Sequence, residues 1–156
     1  MIFNNLNQLN QDLPAKGRFL GIDVGTKRIG LAISDSDQFI ATPKLIINRQ
    51  GNERDLAKIA EFIVEYSIVA IVVGHPLNMD ESRIEMTDFS EKFAFALDEF
   101  LPKKLPIFLF EERLTSFEAR SINNSGLWRK KTKFVDDIAA SLILQHFLDD
   151  LAQSRN

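Results

Sequence analysis

The 156-residue sequence predicts an α/β fold, with a five-stranded mixed sheet flanked by helices. In the first third of the chain, short apolar runs are joined by tight turns, which is typical of antiparallel strands. Two later runs, 68–73 and 106–110, are apolar almost throughout, as expected of strands buried on both faces. Segments with helical spacing of apolar residues separate these runs, and this alternation is typical of α/β proteins.

The composition, with 45% hydrophobic and 26% charged residues, is that of an ordinary globular protein. At this length we expect one domain over residues 18–152. Residues 1–17 are expected to be a partly disordered lead-in, whose Leu6, Leu9 and Leu13 can lie on the domain surface. No apolar run is long enough to cross a bilayer. The absence of cysteine excludes disulfides and thiolate metal sites and fits a cytoplasmic protein.

The first three strands are expected to form an antiparallel meander. Phe19–Val24 and Ile29–Ile33 are joined across a turn that begins at Gly25, so they predict a β-hairpin. The third strand, Phe39–Ile47, contains Pro43. Proline lacks a backbone donor, so this strand suits an edge or a bulge better than the centre of a sheet.

Helices and two parallel strands are predicted for the rest of the chain. The expected helices are Asn52–Tyr66, Ser82–Phe100, a short one from Thr115 or Ser116 to Asn123, and Phe134–Leu151. The expected strands are Ile68–Val73 and Pro106–Phe110. Loops are expected at 74–80 and Asn123–Lys133, and His75 in the first of them is expected at the surface.

Acidic residues lie where ligands gather in open α/β sheets, beyond the carboxyl ends of the strands. Asp23 is late in the first strand, where an isolated buried carboxylate would be costly. Glu111 and Glu112 follow the last strand. Because successive side chains of an extended segment point to opposite sides, only one of the two easily faces the site. Strand geometry alone leaves that choice open.

Asp136 and Asp137 open the last predicted helix. At about 100° per residue, Asp136 lies on the same arc as the apolar Ala140 and Ile143, whereas Asp137 lies toward the edge of that arc. Helix geometry therefore directs Asp136 toward the sheet. The alternative is an acid that only interacts with the helix dipole, which contributes at most about 1 kcal/mol.

Three carboxylates at one place repel each other and need a counter-charge. A divalent cation with oxygen ligands, Mg²⁺ or Mn²⁺, supplies it. One or two such ions, about 4 Å apart, activate water and stabilise the leaving oxygen of a phosphodiester. The combined placement of these acidic groups therefore indicates a divalent-metal site that is suited to phosphodiester chemistry.

The formal net charge of −3 gives no overall electrostatic footprint for nucleic acid. Phosphate binding would have to rest on local patches, of which there are two: Lys27-Arg28 and the run Arg129-Lys130-Lys131. A solvated surface is the other interpretation of such runs. Trp128 beside the second run can stack on a base or anchor its loop.

Four separated motifs resemble the YqgF family over roughly Arg18 to Leu151. They are GIDVGTKRIGLA at 21–32 with Ser34-Asp35, VVG at 72–74 with PLNMD at 76–80, ERLTS at 112–116, and DDIAA at 136–140 with ILQ at 143–145. The sequence departs from the family at Glu111, where aspartate is usual, at His75, where leucine is usual, and at Glu81-Ser82-Arg83, where a glycine-containing turn is usual. These departures spare the three acids.

The resemblance implies an RNase H-like fold and a nuclease that processes the 5′ end of pre-16S ribosomal RNA, similar to Holliday-junction resolvases. It implies that Asp23, Glu112 and Asp136 are catalytic and hold Mg²⁺ or Mn²⁺. By the resemblance, Lys27, Arg28 and Arg113 would be partners of phosphates or of the acids, and Thr115 would be a site-lining or capping hydroxyl. The expected substrate-binding set is completed by the residues of the second basic patch: Trp128, Arg129, Lys130 and Lys131. The implied partners are pre-ribosomal RNA or branched DNA and the small ribosomal subunit, with no membrane, and the chain is expected to be a monomer or weak homodimer.

Three other functions fit part of the same sequence. A branched-DNA resolvase would use the same acids, and a non-catalytic nucleic-acid-binding or ribosome-assembly module would use the same fold without them. The segment Gly21–Thr26 also resembles the first phosphate loop of sugar kinases and actin-like ATPases. Those proteins need a second homologous domain, for which 156 residues leave no room.

Overall fold

The computed structural model describes residues 1–9, 12–75, 81–111 and 133–156, with only the backbone described at 9, 81–87 and 133–137. In chain order the elements are β1 (Ile2–Phe3), α1 (Leu6–Leu9), β2 (Arg18–Val24), β3 (Arg28–Ser34), β4 (Ala41–Asn48), α2 (Asn52–Glu65), β5 (Ile68–His75), α3 (Glu81–Phe100), β6 (Ile107–Glu111) and α4 (Lys133–Ser154). From β2 onward these elements begin and end close to the predicted residues, whereas β1 and α1 were not predicted. The short helix predicted from Thr115 or Ser116 and the loop Asn123–Lys133 lie outside the described residues.

The described strands form one mixed sheet in the order β1-β6-β5-β2-β3-β4. The hairpin β2–β3 and the pair β3–β4 are antiparallel, whereas β2, β5 and β6 are parallel neighbours. The predicted mixed sheet flanked by helices is therefore confirmed. Its predicted strand number, five, was wrong, because β1 adds a sixth strand parallel to β6. A strand of two residues is too short to show a periodicity.

The segment before β2 packs against the sheet. Ile2 and Phe3 pair with Ile107 and Phe108 of β6. Leu13 is 8% exposed and belongs to the hydrophobic cluster under α4. Residues expected to be a partly disordered lead-in thus contribute both a strand and a core side chain.

Pro43 lies on β4, at one end of the sheet. It pairs with Ala32 beside an irregularity in the β3–β4 register. Both features that the sequence associated with this proline, an edge strand and a bulge, are present, because neither requires the backbone donor that proline lacks.

Two hydrophobic cores cover the two faces of the sheet. Alternate residues of β2, β3 and β5 pack with α2 and α3 on one face, and the remaining alternate residues pack with α4 on the other. We call these the α2/α3 face and the α4 face. On the α4 face the ring of Phe147 lies 6.1 Å from that of Phe19 and 4.9 Å from that of Phe108, measured between centroids. Among the described residues, no helix combines the length and apolarity required to span a membrane.

Candidate active site

The carboxyl ends of β2, β5 and β6 lie side by side at one edge of the sheet. Ile22 of β2 pairs with Val73 of β5, and Val73 pairs with Leu109 of β6. Asp23 follows Ile22 and is therefore level with Gly74. This is the edge at which open α/β sheets bind ligands.

Asp23 lies on the α4 face. Its neighbours Ile22 and Val24 belong to the cluster on the α2/α3 face, and side chains alternate along a strand. Across the hairpin Asp23 pairs with Gly30, which adds no side chain beside the carboxylate. The Asp23 side chain is partly buried. A carboxylate at the end of a central strand is thus directed toward the start of the last helix.

Two glycines allow α4 to lie close to the sheet. A Cβ atom at Gly21 would come within 2.7 Å of the Leu144 Cβ and 2.9 Å of the Ala140 carbonyl oxygen. A Cβ atom at Gly74 would overlap the Ile143 Cδ1. Any larger residue at these positions would therefore displace α4 or its side chains.

Residue 136 reaches the level of Asp23. α4 runs antiparallel to β2, because Phe147 contacts Phe19 whereas Leu144 and Ala140 lie opposite Gly21. Residue 136 is one turn before Ala140, about 6 Å along the helix. Asp23 is two residues beyond Gly21, about 6.6 Å along the strand. The backbone thus brings both positions to the same end of the sheet, although the side chain of Asp136 lies outside the description.

The buried face of α4 is the one that the helix pattern predicts. Ala140, Ile143 and Phe147 are each at most 3% exposed. Helix geometry places position 136 on this arc and position 137 toward its edge.

Glu111 lies on the face opposite to Asp23. Leu109 belongs to the α2/α3 cluster and Phe110 to the α4 cluster. Alternation therefore places Glu111, the exposed last residue of β6, on the α2/α3 side. Glu112 lies outside the described residues, and the same is true of Arg113, Thr115, Trp128, Arg129, Lys130 and Lys131.

Lys27 and Arg28 are carried by the β2–β3 turn at the same edge. Lys27 is exposed and Arg28, the first residue of β3, is partly exposed. The Gly25 N–H donates to the Arg28 carbonyl oxygen at 2.8 Å and closes the turn. Arg28 alternates with Ile29 of the α2/α3 cluster and so lies on the face of Asp23.

The sequence predicted that His75 lies in a surface loop, and the structure shows that it does not. It is the last residue of β5 and is 9% exposed. Its Nε2 lies 2.9 Å from Oε1 of Glu91 on α3. The prediction was wrong because β5 continues beyond Gly74, where the sequence pattern ended it.

Ser34 and Asp35, which accompany the first motif, have structural roles. The Phe19 N–H donates to Ser34 Oγ at 2.9 Å, and the N–H groups of Phe39 and Ile40 donate to Asp35 Oδ1 at 2.8 Å. Slight burial acts in the opposite direction, but these backbone donors hold the pKa of Asp35 below its ordinary value. Ser34 and Asp35 thus order the ends of β2 and β4.

An ion pair on the α2/α3 side of the sheet was not predicted from the sequence. Arg49 Nε donates to Asp55 Oδ2 at 3.0 Å, and both side chains are almost entirely buried. The signal was an aspartate beside Leu56 on the apolar face of a predicted helix, but its partner could not be read from the sequence.

Within the described part of the chain, no three His, Asp or Glu side chains are close enough to hold a metal ion. The Glu112 and Asp136 side chains lie outside that part. Of the three predicted metal ligands, Asp23 is the one whose side chain is described. Its carboxylate is an oxygen donor of the kind that hard divalent cations prefer.

Comparison with known proteins gives a consistent family assignment. Residues 17–150 match the family model described as "RuvX: Holliday junction resolvase". A Rhodobacter capsulatus protein named "Putative pre-16S rRNA nuclease" is 38% identical over 97% of this chain and 96% of its own length. A Chloroflexus aurantiacus protein of the same name is 42% identical over 83% of this chain and 85% of its own length.

Solved structures show the same fold at low sequence identity. RuvC of T. thermophilus, in complex with Holliday junction substrate, superposes with a TM-score of 0.54 at 12% identity, over 86% of this chain and 94% of RuvC. The fowlpox virus Holliday junction resolvase superposes with a TM-score of 0.52 at 14% identity, over 85% of this chain and 99% of the resolvase. These similarities establish an RNase H-like fold.

Proposed function

The chain belongs to the RuvX family, and on that premise we propose that it is a metal-dependent endonuclease that processes the 5′ end of pre-16S ribosomal RNA in the cytoplasm. The observation that carries the proposal is the meeting of the Asp23 end of β2 with the start of α4, where residue 136 lies level with Asp23. The names of the curated relatives, which match nearly the whole chain, support RNA as the substrate.

We assign the metal ligands to Asp23, Glu112 and Asp136. The position of Glu111 on the opposite face supports Glu112 as the glutamate that accompanies Asp23. An all-carboxylate donor set fits a hard divalent cation, Mg²⁺ or Mn²⁺, in one or two sites. When bound, such ions would supply an activated water and charge stabilisation for the leaving oxygen.

The remaining roles belong to residues that hold the substrate. Arg28 shares the face of Asp23, and the exposed Lys27 lies on the same turn, so both are suited to neutralise phosphates that flank the cleaved bond. Arg113 and Thr115 follow the proposed metal ligand Glu112 and would contact the same phosphates. Trp128, Arg129, Lys130 and Lys131 would bind substrate farther away, by stacking and charge.

The direct test compares the wild type with Asp23→Asn on pre-16S RNA that carries its 5′ extension, with Mg²⁺, Mn²⁺ or a chelator. Asp37→Asn is the matched control, since Asp37 is exposed and Lys16, whose Nζ lies 3.8 Å from Asp37 Oδ1, is exposed too. We expect chelator-sensitive cleavage that Asp23→Asn lowers by about 100-fold or more, because the charge of a metal ligand is lost. Equal cleavage by Asp23→Asn and the wild type would refute the assignment.

A second candidate is the resolution of branched DNA, which the description of the RuvX family favours. It uses the same carboxylates, so the same variants are assayed on a four-way DNA junction. Faster cleavage of the junction than of RNA would select this function. Cleavage of neither substrate would leave a non-catalytic nucleic-acid-binding module.

A further inference from the structure

A buried guanidinium supports the turn that follows Asp23. The side chain of Arg49 is 11% exposed and that of Asp55 is 1% exposed. Arg49 Nε donates to Asp55 Oδ2 at 3.0 Å, Nη1 to the Gly25 carbonyl oxygen at 3.2 Å, and Nη2 to Asn52 Oδ1 at 2.6 Å. The second carboxylate oxygen of Asp55 accepts the Gln50 N–H at 3.0 Å. The group thus links β2, the end of β4 and the first turn of α2.

The backbone and the rings around Arg49 strengthen this link. The Arg49 N–H donates to the Lys27 carbonyl oxygen at 2.9 Å. The guanidinium carbon lies 5.1 Å from the ring centroid of Phe89 and 5.6 Å from that of Phe93, both on α3. Arg49 therefore holds the β2–β3 turn at two carbonyls, Gly25 and Lys27, from the α2/α3 side of the sheet.

We propose that Arg49, paired with Asp55, is a positioning residue of the nuclease: it holds the turn at residues 25–28 so that Asp23, Lys27 and Arg28 keep one spatial relation. This inference rests on the proposed function, since it gives the network a role in that reaction. Arg49 lies on the face opposite to Asp23 and would act through the backbone of Gly25, two residues beyond the carboxylate.

The chemistry of the contacts explains why arginine is required. A planar guanidinium donates in several fixed directions at once, whereas a lysine ammonium is a single compact charge. Asp55, the carbonyl of Gly25 and the amide oxygen of Asn52 each accept from a different nitrogen. Lysine could keep the charge opposite Asp55, but it could not hold all three acceptors in this geometry.

The test uses a variant that removes the network without leaving a buried charge alone. In Arg49→Met/Asp55→Leu, apolar residues replace both members of the pair, a change that buried ion pairs often tolerate. Arg54→Met is the matched control, since Arg54 is exposed on α2, the helix that carries Asp55. For each protein, amide hydrogen exchange at Gly25, the thermal midpoint of unfolding, and kcat and KM for RNA cleavage are measured.

We expect the double variant to unfold near the wild-type temperature and to exchange the Gly25 amide about tenfold faster, because the turn opens more often. We also expect kcat to fall by about 10- to 100-fold with a smaller change in KM, because misplacing a catalytic group by about 1 Å has effects of this size. The control should match the wild type. Arg49→Lys, which keeps the charge opposite Asp55, should recover only part of kcat. It also replaces the double variant if that protein fails to fold.

Unchanged exchange at Gly25 would overturn the inference, and so would wild-type kcat in a folded double variant. Failure of the proposed function has a different signature: the wild type itself would then cleave neither RNA nor DNA, while exchange at Gly25 would still report whether Arg49 holds the turn.

Discussion

Replacing Gly74 by alanine should destabilise the protein, and replacing Ile143 by valine in the same chain should recover part of the loss. A Cβ atom at position 74 overlaps the Ile143 Cδ1 and lies 3.3 Å from its Cγ1. Valine lacks the δ carbon. The conflict therefore lies at one methyl group at the end of a side chain, and a single change can remove that group.

The magnitudes follow from the packing. Extra volume in a close-packed core costs about 1–3 kcal/mol, and removing a glycine from a strand returns about 0.5–1 kcal/mol. We therefore expect Gly74→Ala to lose up to about 2.5 kcal/mol of the free energy of unfolding, which is up to about 10 °C in thermal midpoint for a domain of this size. Ile143 is 3% exposed, so Ile143→Val alone should lose about 0.5–1.5 kcal/mol.

Urea denaturation of the two single variants and the double variant forms a complete cycle. If the overlap is the cause, the double variant is more stable than the sum of the single losses implies, by about 1 kcal/mol. Additive losses, equal within about 0.3 kcal/mol, would refute the close approach of α4 to the sheet at Gly74.

Two further predictions concern the fold around the site. Backbone donors hold the pKa of Asp35 below its ordinary value of 3.8, so its carboxylate stabilises the fold above that pH, and the contribution is lost as the pH falls through the lower folded-state pKa. Urea denaturation should thus show that Asp35→Asn lowers the free energy of unfolding at neutral pH, by less than about 1 kcal/mol because this group is exposed. The same substitution should have no effect in strong acid, and a loss that persists there would contradict this explanation. Leu13→Ala should lose about 2 kcal/mol in thermal unfolding, because the side chain is buried under α4, and an unchanged midpoint would indicate that residues before β2 are only loosely attached.

Most of the fold could be predicted from the sequence because its elements carry strong periodic patterns. The β-branched run at 68–73 is a central parallel strand, and Pro43 marks an edge strand. The arc of Ala140, Ile143 and Phe147 indicated the buried face of α4. Each of these inferences needs only neighbouring residues, whose side-chain directions follow from local geometry.

What could not be predicted depends on contacts between distant segments. β1 pairs with the edge of β6, which is distant in sequence. Its two residues are too few to show the alternation of side chains that predicts a strand. His75 is the buried last residue of β5 and its Nε2 lies 2.9 Å from Glu91 Oε1, although its sequence surroundings resemble a loop. Asp55 lies on the apolar face of a predicted helix, but its partner Arg49 could not be identified from the sequence, because Arg49 is buried in part by Phe89 and Phe93 of the distant α3. The side of the sheet on which Glu111 lies depends on the alternation of β6 between its two cores, which strand geometry alone did not give.

The dependence of the site on α4 has a consequence for the synthesis of the protein. The β2–β3–β4 meander can form from neighbouring segments, but α4 docks through contacts such as that between Gln145 and Ala41, 104 residues apart. Such long-range contacts form late in folding. Until the ribosome has released α4, a nascent chain exposes the apolar α4 face, with Phe19 and Phe108, and has no residue 136 beside Asp23. A chain in which α4 has not docked therefore cannot bring residue 136 beside Asp23, and its exposed apolar face is prone to aggregation.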